Sequence, residues 1–297
     1  MKYRFYAIAP VVAFLLIGTW FGSFSWELRT HNALATRHTT LKDTISQSQR
    51  EHKGSELDGG LFRVIHNEAF TVGEKLNYDI EYGPIVAGAA TISIPSYVEY
   101  AGRKCYKVEF SMRSAKFFDL FFKVRDSYMS YIDVQGLFPW KFEQHVREGG
   151  YKKDFTAWFN QTDHTAETSS GGPYKIKPYT QDAVSTFFYA RTLNYDTLNV
   201  GQEIHFSNFY DNKVYPLDVK YLGHQDIKTK AGRFHCQIIE PIIVKGGLFK
   251  NTGRIVIWIS DDSLRLPVKV QTEVLIGSVV AELASYSGLA GKLTSKF

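Results

Sequence analysis

Apolar and polar residues alternate along much of the chain from about residue 70 onward. Between Lys75 and Tyr82 every second residue is apolar, and Lys, Asn, Asp and Glu fill the positions between them. Successive side chains of a strand point to opposite faces of a sheet, so this period predicts a strand with one face buried and the other in water. The same pattern returns at Tyr106 to Met112 and at Tyr215 to Tyr221.

Further strands are predicted where apolar, β-branched and aromatic residues run between turn residues. Close spacing of about a dozen strands is typical of a sandwich or barrel. We therefore predict a single mainly β domain, built as a large curved antiparallel sheet or open barrel. The additional predicted strands are Ala87–Ser96, Val124–Ile132, Trp140–Arg147, Lys153–Phe159, Glu203–Phe209, Phe234–Ile243, Arg254–Ile259, Val268–Val274 and Ser278–Tyr286.

Two short segments break the alternation and predict helices. Ser114 can cap a helix over 115–122, and Thr180 can cap one over 181–192 with Asp182 in its first turn. Both segments are rich in Phe, so we expect both helices on the concave side of the sheet, where they would plug it or line an apolar cavity. The candidate ligand-binding side chains are Phe117, Phe118, Phe121, Phe187 and Phe188, with Phe122 beside them.

The N-terminus carries a targeting signal. Lys2 and Arg4 precede an apolar run from Ala7 to Trp20, which predicts a signal peptide or membrane anchor over residues 1–25. Residues 26–60 are polar and lack an apolar period, so we expect a disordered linker, followed by the folded domain over 61–297. The chain is therefore predicted to be exported to the periplasm or cell envelope of a Gram-negative bacterium, with membrane contact through the N-terminal segment if it stays uncleaved.

Composition limits the choice of partner. Aromatic residues make up 15% of the chain, with 18 Tyr and 22 Phe, which favours strands or an aromatic-lined cavity. The formal charge of +5 is modest and scattered along the strands, so no nucleic-acid partner is predicted. Cys105 and Cys236 could form a disulfide after export, but Cys105 falls on the polar phase of its strand, and the pairing stays open.

Motifs for known chemistry are missing. The His residues show no metal-ligand spacing, Ser185 has no GxSxG elbow around it, and no phosphate-binding glycine loop occurs. Asp261 and Asp262 follow an apolar segment where a turn is expected, so we interpret them as turn residues. We predict no catalytic residue, no metal site and no cofactor.

Several ordered motifs between Asn67 and Leu283 resemble the bacterial exported family DUF3108. This resemblance implies an envelope β protein without an assigned reaction, and a distant likeness in fold to open-barrel carriers of lipoproteins. The motifs are Phe-Thr-Val-Gly-Glu-Lys-Leu-Asn-Tyr at 70–78, Ala-Gly-Ala-Ala at 87–90, Val-Arg-Asp at 124–126, Gln-Asp-Ala-Val-Ser at 181–185 with Arg191, and Ile-Trp-Ile-Ser-Asp-Asp at 257–262 before Pro-Val at 267–268.

Charged residues within these motifs stand among apolar ones, and pairing between them would orient the helices over the sheet. They are Glu74, Arg125, Asp126, Asp182 and Arg191.

Three functions stay open at this point. The first is an envelope module that binds or carries a lipid-like amphiphile or other apolar partner in a partly open cavity. The second is a structural or assembly protein that docks another envelope protein, with a packed interior and an exposed apolar patch or edge strand. The third is a hydrolase whose groups come from distant positions.

Overall fold

The computed structural model describes residues 56–58, 62–242, 253–274 and 277–297. The predicted leader, most of the predicted linker and the last residue of the predicted strand Phe234–Ile243 lie outside the described residues. A three-residue strand at Glu56–Asp58 pairs with Phe62–Val64, so regular structure begins within the segment predicted as linker.

Sixteen strands and two helices make up the described part of the chain. All of the strands predicted from alternation are present, several of them longer than expected. The strands are β1 Glu56–Asp58, β2 Phe62–Val64, β3 Lys75–Tyr82, β4 Ile85–Tyr100, β5 Arg103–Ser114, β6 Arg125–Asp133, β7 Pro139–Glu148, β8 Tyr151–Asn160, β9 Thr165–Thr168, β10 Gly171–Lys175, β11 Glu203–Tyr210, β12 Lys213–Thr229, β13 Gly232–Pro241, β14 Ile255–Ser260, β15 Pro267–Glu273 and β16 Ser278–Ser287; the helices are α1 Lys116–Asp119 and α2 Ala183–Ala190.

Fourteen strands form one antiparallel sheet in the order β10-β9-β8-β7-β6-β5-β4-β3-β16-β15-β14-β13-β12-β11. Chain neighbours pair throughout each half, which gives one meander from β3 to β10 and a second from β11 to β16. The pairing of β3 with β16 joins the two meanders, with Asp79 opposite Glu282. The predicted curved antiparallel sheet is therefore confirmed.

The sheet rolls up until its two edge strands approach each other. Thr168, at the end of β9, donates a 2.7 Å hydrogen bond to Asn212 in the β11–β12 turn. The Tyr174 ring of β10 lies 5.9 Å from the Phe209 ring of β11. The two edge strands, β10 and β11, do not pair with each other. Side-chain contacts, together with the segment that leads to α2, bridge the gap between them.

The alternating strand directions give the rolled sheet two distinct ends. One end carries the β3–β4, β7–β8 and β11–β12 turns and the β5–β6 connection that contains α1; we name it the α1 end. We name the other end the capped end. It carries the β4–β5, β6–β7 and β14–β15 connections and the residues that lead into β3. Helix α2 lies inside the roll, where it contacts β6 and β11 and ends at the capped end.

Helix α1 differs from its prediction in length and place. It spans four residues instead of eight, has no side-chain cap and contains no buried residue. Ser114 caps nothing here; its hydroxyl donates to the Asp119 carboxylate and accepts the Val124 N–H at 2.8 Å. Because this bonding closes a tight loop after one turn, α1 projects from the rim and does not plug the concave side.

Helix α2 does lie on the concave side, as predicted, but it begins two residues later. Asp182 is its N-cap residue, with its carboxylate accepting the backbone N–H groups of Val184 at 2.7 Å and Ser185 at 2.8 Å. The Ser185 hydroxyl accepts the Asp182 N–H in return, which completes a capping box. The helix ends at Ala190, so Arg191 becomes the C-cap residue.

The interior-facing side chains form one continuous hydrophobic cluster, and a small second cluster lies at the capped end. Cys105 belongs to the second cluster, beside Phe62 and Trp140, whereas Cys236 belongs to the first. The two thiols are unpaired in the structure, and burial raises the pKa of each to about 12.

Candidate functional site

The five charged residues from the sequence motifs occupy three separate places. Glu74 and Arg191 meet at the capped end, each side chain about 1% exposed. The Arg191 guanidinium donates to both Glu74 carboxylate oxygens, at 2.6 and 2.9 Å. The same group donates to the carbonyls of Ala69 at 2.9 Å and Leu264 at 3.1 Å. Arg191 therefore joins α2 to the entry of β3 and to the β14–β15 connection.

Asp182 anchors the other end of α2. The Ser130 hydroxyl of β6 donates to its carboxylate at 2.6 Å, in addition to the two capping bonds. Burial raises the pKa of Asp182 to about 6, and the hydrogen bonds to the carboxylate oppose that rise. Of the five charged residues, Glu74 and Arg191 pair with each other, whereas Asp182 caps α2 and accepts a hydrogen bond from Ser130 instead.

Arg125 lies at the α1 end and pairs with Asp119, the last residue of α1. Its guanidinium donates to the two Asp119 carboxylate oxygens at 3.0 and 2.6 Å. This pairing, with the Ser114 hydroxyl, holds the pKa of Asp119 at about 2. The ion pair fixes the base of the loop that carries α1.

Asp126 forms a carboxyl pair with Glu148, a residue that sequence reasoning missed. Asp126 is 3% and Glu148 is 8% exposed, and the two buried carboxyl groups lie close enough to shift each other's pKa. Burial and the Asp126 charge raise the pKa of Glu148 to about 8; burial also raises the pKa of Asp126. A sequence signal existed, because Gln144 and Glu148 both fall on the apolar phase of β7.

The carboxyl pair lies directly beneath the α1 loop. Val124, the last residue of the loop, forms a β-bridge with Glu148, and the Gly149 N–H donates to the Lys123 carbonyl at 2.8 Å. On the other side of the loop, the Ala115 N–H donates to the Ala87 carbonyl at 2.8 Å. Backbone bonds therefore hold both ends of the loop against neighbouring strands.

An apolar surface projects from the α1 end, and we name it the apolar tip. It consists of three α1-loop side chains and two from the start of β4, namely Phe117 (64% exposed), Leu120 (79%), Phe121 (67%), Ile85 (53%) and Val86 (42%). Two exposed lysines, Lys116 and Lys123, flank the α1-loop residues. Such a cluster of large exposed apolar side chains is a common mark of a contact surface.

The structure separates the five Phe residues predicted to bind a ligand together. Phe188 is 1% exposed and packs against Phe70, with ring centroids 4.8 Å apart, and Phe187 is half-buried beside it. Phe117 and Phe121 are exposed at the opposite end of the roll, with Phe118 half-buried behind them. The sequence pattern could not separate them, because a Phe-rich segment serves equally as a buried face or as an exposed tip.

A polar depression of about 550 Å³ lies on the outer face of the sheet, next to the α1 end. We name it the outer trough. Short side chains leave the space open, and the interior-pointing residues Tyr78, Ala90, Met112 and Asp126 contribute its floor. The outward-pointing residues that line it are Asn77, Asp79, Ala89, Thr91, Ser111, Arg113, Arg125 and Ser127.

The polar residues considered for chemistry in the sequence have structural partners in the part of the chain that the structure describes. No group of three or more His, Cys, Asp and Glu side chains within this part of the chain could hold a metal ion. Ser185 is engaged in the capping box, and Asp262 accepts the Leu264 N–H at 3.1 Å as a turn residue. No helix in the described ranges is long and apolar enough to cross a membrane.

Comparison with known proteins identifies a family. The family model described as "Protein of unknown function (DUF3108)" matches residues 77–284. No curated protein matches the chain. The family resemblance seen in the sequence motifs is thereby confirmed.

Three solved structures match the chain at low sequence identity. A β-barrel-like protein of the family DUF1849 from Brucella abortus is 11% identical, with a TM-score of 0.48, and the match covers 73% of this chain and 97% of that one. A protein from Bacteroides fragilis, described as exported and YmcC-like in fold, is 11% identical with a TM-score of 0.28, covering 75% and 98%. A protein from Parabacteroides distasonis, described as a lipoprotein, is 11% identical with a TM-score of 0.29, covering 73% and 96%.

Proposed function

The chain belongs to the DUF3108 family, to which no function is assigned, and we propose from its geometry that it is an exported envelope domain that binds a lipid surface through its α1 end. The observation that carries this proposal is the apolar tip. Its three α1-loop side chains are each more than 60% exposed, and they stand on a loop that leaves the rim of the sheet.

The charges around the tip fit a membrane surface. Lys116 and Lys123 flank the apolar residues at both ends of the loop and are exposed. Lysines beside an apolar insertion reach the lipid phosphates while their stems stay near the acyl boundary. Asp119 is the one acidic residue of the loop, and Arg125 neutralises it.

The loop is preformed, which lowers the entropy lost on binding. The Ala115–Ala87 and Gly149–Lys123 backbone bonds hold its two ends, and the Arg125–Asp119 pair closes its base. Phe117 contacts Phe118 and Phe121 with ring centroids 5.6 and 5.5 Å apart, so the tip side chains already support one another.

The filled interior favours surface binding over internal carriage. Phe70, Phe188 and Tyr78 are among the largest side chains that are fully buried, and they belong to the continuous interior cluster. A carried acyl chain would have to displace such side chains, whereas the tip offers apolar area without rearrangement. The predicted leader at residues 1–25 supports placement in the envelope, where lipid surfaces are available.

Replacing two tip residues tests this proposal. The variant Leu120→Ser/Phe121→Ser should bind vesicles of phosphatidylglycerol and phosphatidylethanolamine at least about tenfold more weakly, because burying one Leu or Phe side chain is worth about 1.5–3 kcal/mol. The full chain is purified from the envelope after export, so that wild type and variant share the same N-terminus, and binding is measured by vesicle flotation.

Val200→Ser is the matched control, since Val200 is 70% exposed but lies at the capped end, before β11. It should bind vesicles like the wild type. Equal binding by the tip variant would contradict the proposal, and a tip-dependent complex with another envelope protein, in the absence of lipid, would favour the docking alternative.

A further inference from the structure

We propose that the outer trough binds the phosphate group of a membrane lipid headgroup, so that the domain distinguishes phosphate-bearing lipids from other anionic lipids. This inference rests on the proposed membrane contact and adds a ligand to it. The trough is the right size, because a depression of about 550 Å³ lies within the usual range of small-ligand sites.

Two arginines face each other at the rim end of the trough. Arg113 of β5 lies directly opposite Arg125 of β6, and both are exposed. Like charges directly opposite each other in a sheet are destabilising, so this arrangement calls for negative charge nearby. Asp119 supplies it for Arg125, but no acidic side chain among the described residues pairs with Arg113.

The acidic residue at the far side of the trough is already neutralised. Asp79 lies in the same cross-strand row as Arg113 and Arg125, with Ala89 between them. Lys230 of the β12–β13 turn forms an ion pair with the Asp79 carboxylate. Arg113 therefore remains without an ion-pair partner among the described residues, and the one other acidic group at the trough is the buried Asp126 carboxyl in its floor.

A row of hydrogen-bonding side chains lies beside the arginines. Asn77, Thr91, Ser111 and Ser127 stand directly opposite one another across β3, β4, β5 and β6. Thr91 donates to the Asn77 side chain at 3.0 Å, whereas the Ser111 and Ser127 hydroxyls point outward next to the arginine pair. Guanidinium groups with adjacent hydroxyls match the non-bridging oxygens of a phosphate and the hydroxyls of a glycerol headgroup.

The depth of the trough fits the layers of a bilayer. The Arg113–Arg125 row is the last register pair before the α1 loop, and the Ser111–Ser127 row lies two residues further into the sheet. Two strand residues span about 7 Å. The headgroup layer of one leaflet is also roughly 5–8 Å thick, judged from the difference between whole-bilayer and hydrocarbon thickness. With the tip in the acyl region, the arginines and then the hydroxyls would lie at headgroup depth.

Two substitutions at Arg113 test the inference on vesicles. One set contains phosphatidylglycerol in phosphatidylcholine, and the other contains oleate in phosphatidylcholine at the same surface charge. Wild type should bind the phosphatidylglycerol set at least about fivefold more tightly. Both Arg113→Gln and Arg113→Lys should abolish this preference, because Lys keeps the charge but lacks the planar fork of Arg.

Lys152→Gln is the control variant, because it removes one exposed positive charge at the same end, outside the trough. It should keep the preference. The inference is overturned if wild type binds both vesicle sets equally, if Arg113→Lys keeps the preference, or if Lys152→Gln loses it as well. Competition by millimolar inorganic phosphate would identify free phosphate as the ligand and would also overturn it.

These outcomes separate the two proposals. Failure of wild type to bind either vesicle set, together with no effect of Leu120→Ser/Phe121→Ser, refutes the membrane contact itself. Binding that depends on the tip but not on Arg113 refutes only the phosphate site and leaves the membrane contact in place.

Discussion

The two ends of the rolled sheet use charged residues in opposite ways. At the capped end, the Glu74–Arg191 pair is almost fully buried and joins a helix to two connections. At the α1 end, the Arg125–Asp119 pair is partly exposed, with side-chain exposures of 40% and 20%, and holds a loop whose apolar side chains face water.

This difference indicates that the capped end stabilises the fold, and it agrees with the membrane contact proposed for the α1 end. The buried pair would be costly without its hydrogen bonds, and Arg191 meets that cost by donating to two backbone carbonyls as well as to Glu74. The α1 end instead keeps exposed apolar area, which adds little to folding stability and which the proposed membrane contact would bury.

The largest expected effect comes from breaking the buried pair. Arg191→Met should destabilise the protein by about 3–5 kcal/mol, because it leaves the Glu74 carboxylate buried without a partner. Urea unfolding followed by tryptophan fluorescence measures the change. Arg125→Gln, which breaks the exposed pair, serves as the control and should have a much smaller effect because solvent screens that pair.

A double replacement sharpens the same point. Glu74→Met with Arg191→Met should recover part of the lost stability, since it removes both charges from the interior together. A double variant no more stable than Arg191→Met alone would show that packing around the Arg191 side chain, and not the unpaired charge, accounts for the loss.

The second effect concerns the carboxyl pair beneath the α1 loop. Glu148 has a raised pKa of about 8, so between about pH 4.5 and pH 8 the unfolded state loses a proton that the folded state keeps. Stability should therefore fall as pH rises through this window, by an amount on the order of a few kcal/mol, and stay lower above it.

Glu148→Gln tests this by removing the titration while keeping a hydrogen-bond donor. The variant should show a flatter pH dependence of unfolding free energy and exceed the wild type most clearly at pH 8. Glu167→Gln, an exposed carboxyl change on β9, should leave the wild-type slope intact. An unchanged slope in Glu148→Gln would mean that the pKa of Glu148 is not raised in the folded state.

The smallest expected effect lies at the tip itself. Leu120→Ser should change the unfolding free energy by no more than about 0.5 kcal/mol, because Leu120 is 79% exposed. Thermal and urea unfolding both measure this. A loss of 2 kcal/mol or more would show that the tip packs against the domain and is not a free contact surface.

The sheet was predictable from sequence because apolar and polar residues alternate strictly in strands that have one buried face. The short strands β9 and β10 were missed. For the edge strand β10 the reason is that Gly171-Gly172-Pro173 has the composition of a turn, and Pro173 fits a sheet only at its edge. The α1 helix was overextended, because its Phe spacing suits a helix whether or not anything covers it.

The site was only partly predictable. The motif residues Glu74 and Arg191 could be singled out, but their pairing joins positions 117 residues apart, and no local pattern encodes that contact. Glu148 carried a readable signal as a carboxylate on an apolar phase. The opposition of Arg113 and Arg125 depends on strand register across a connection of uncertain length, which a single sequence does not fix.

The pairing of β3 with β16 also affects the order in which the molecule can fold. This pairing joins Lys75–Tyr82 to Ser278–Ser287. The first strand of one meander therefore cannot pair until the final strand of the other is present. Contacts between such distant segments are slow to form, because the intervening chain must be ordered first. A ribosome-bound or partly translocated chain lacks β16, and its two meanders remain unjoined. Completion of the sheet therefore waits for β16 to be synthesised and, under the proposed export, to be translocated.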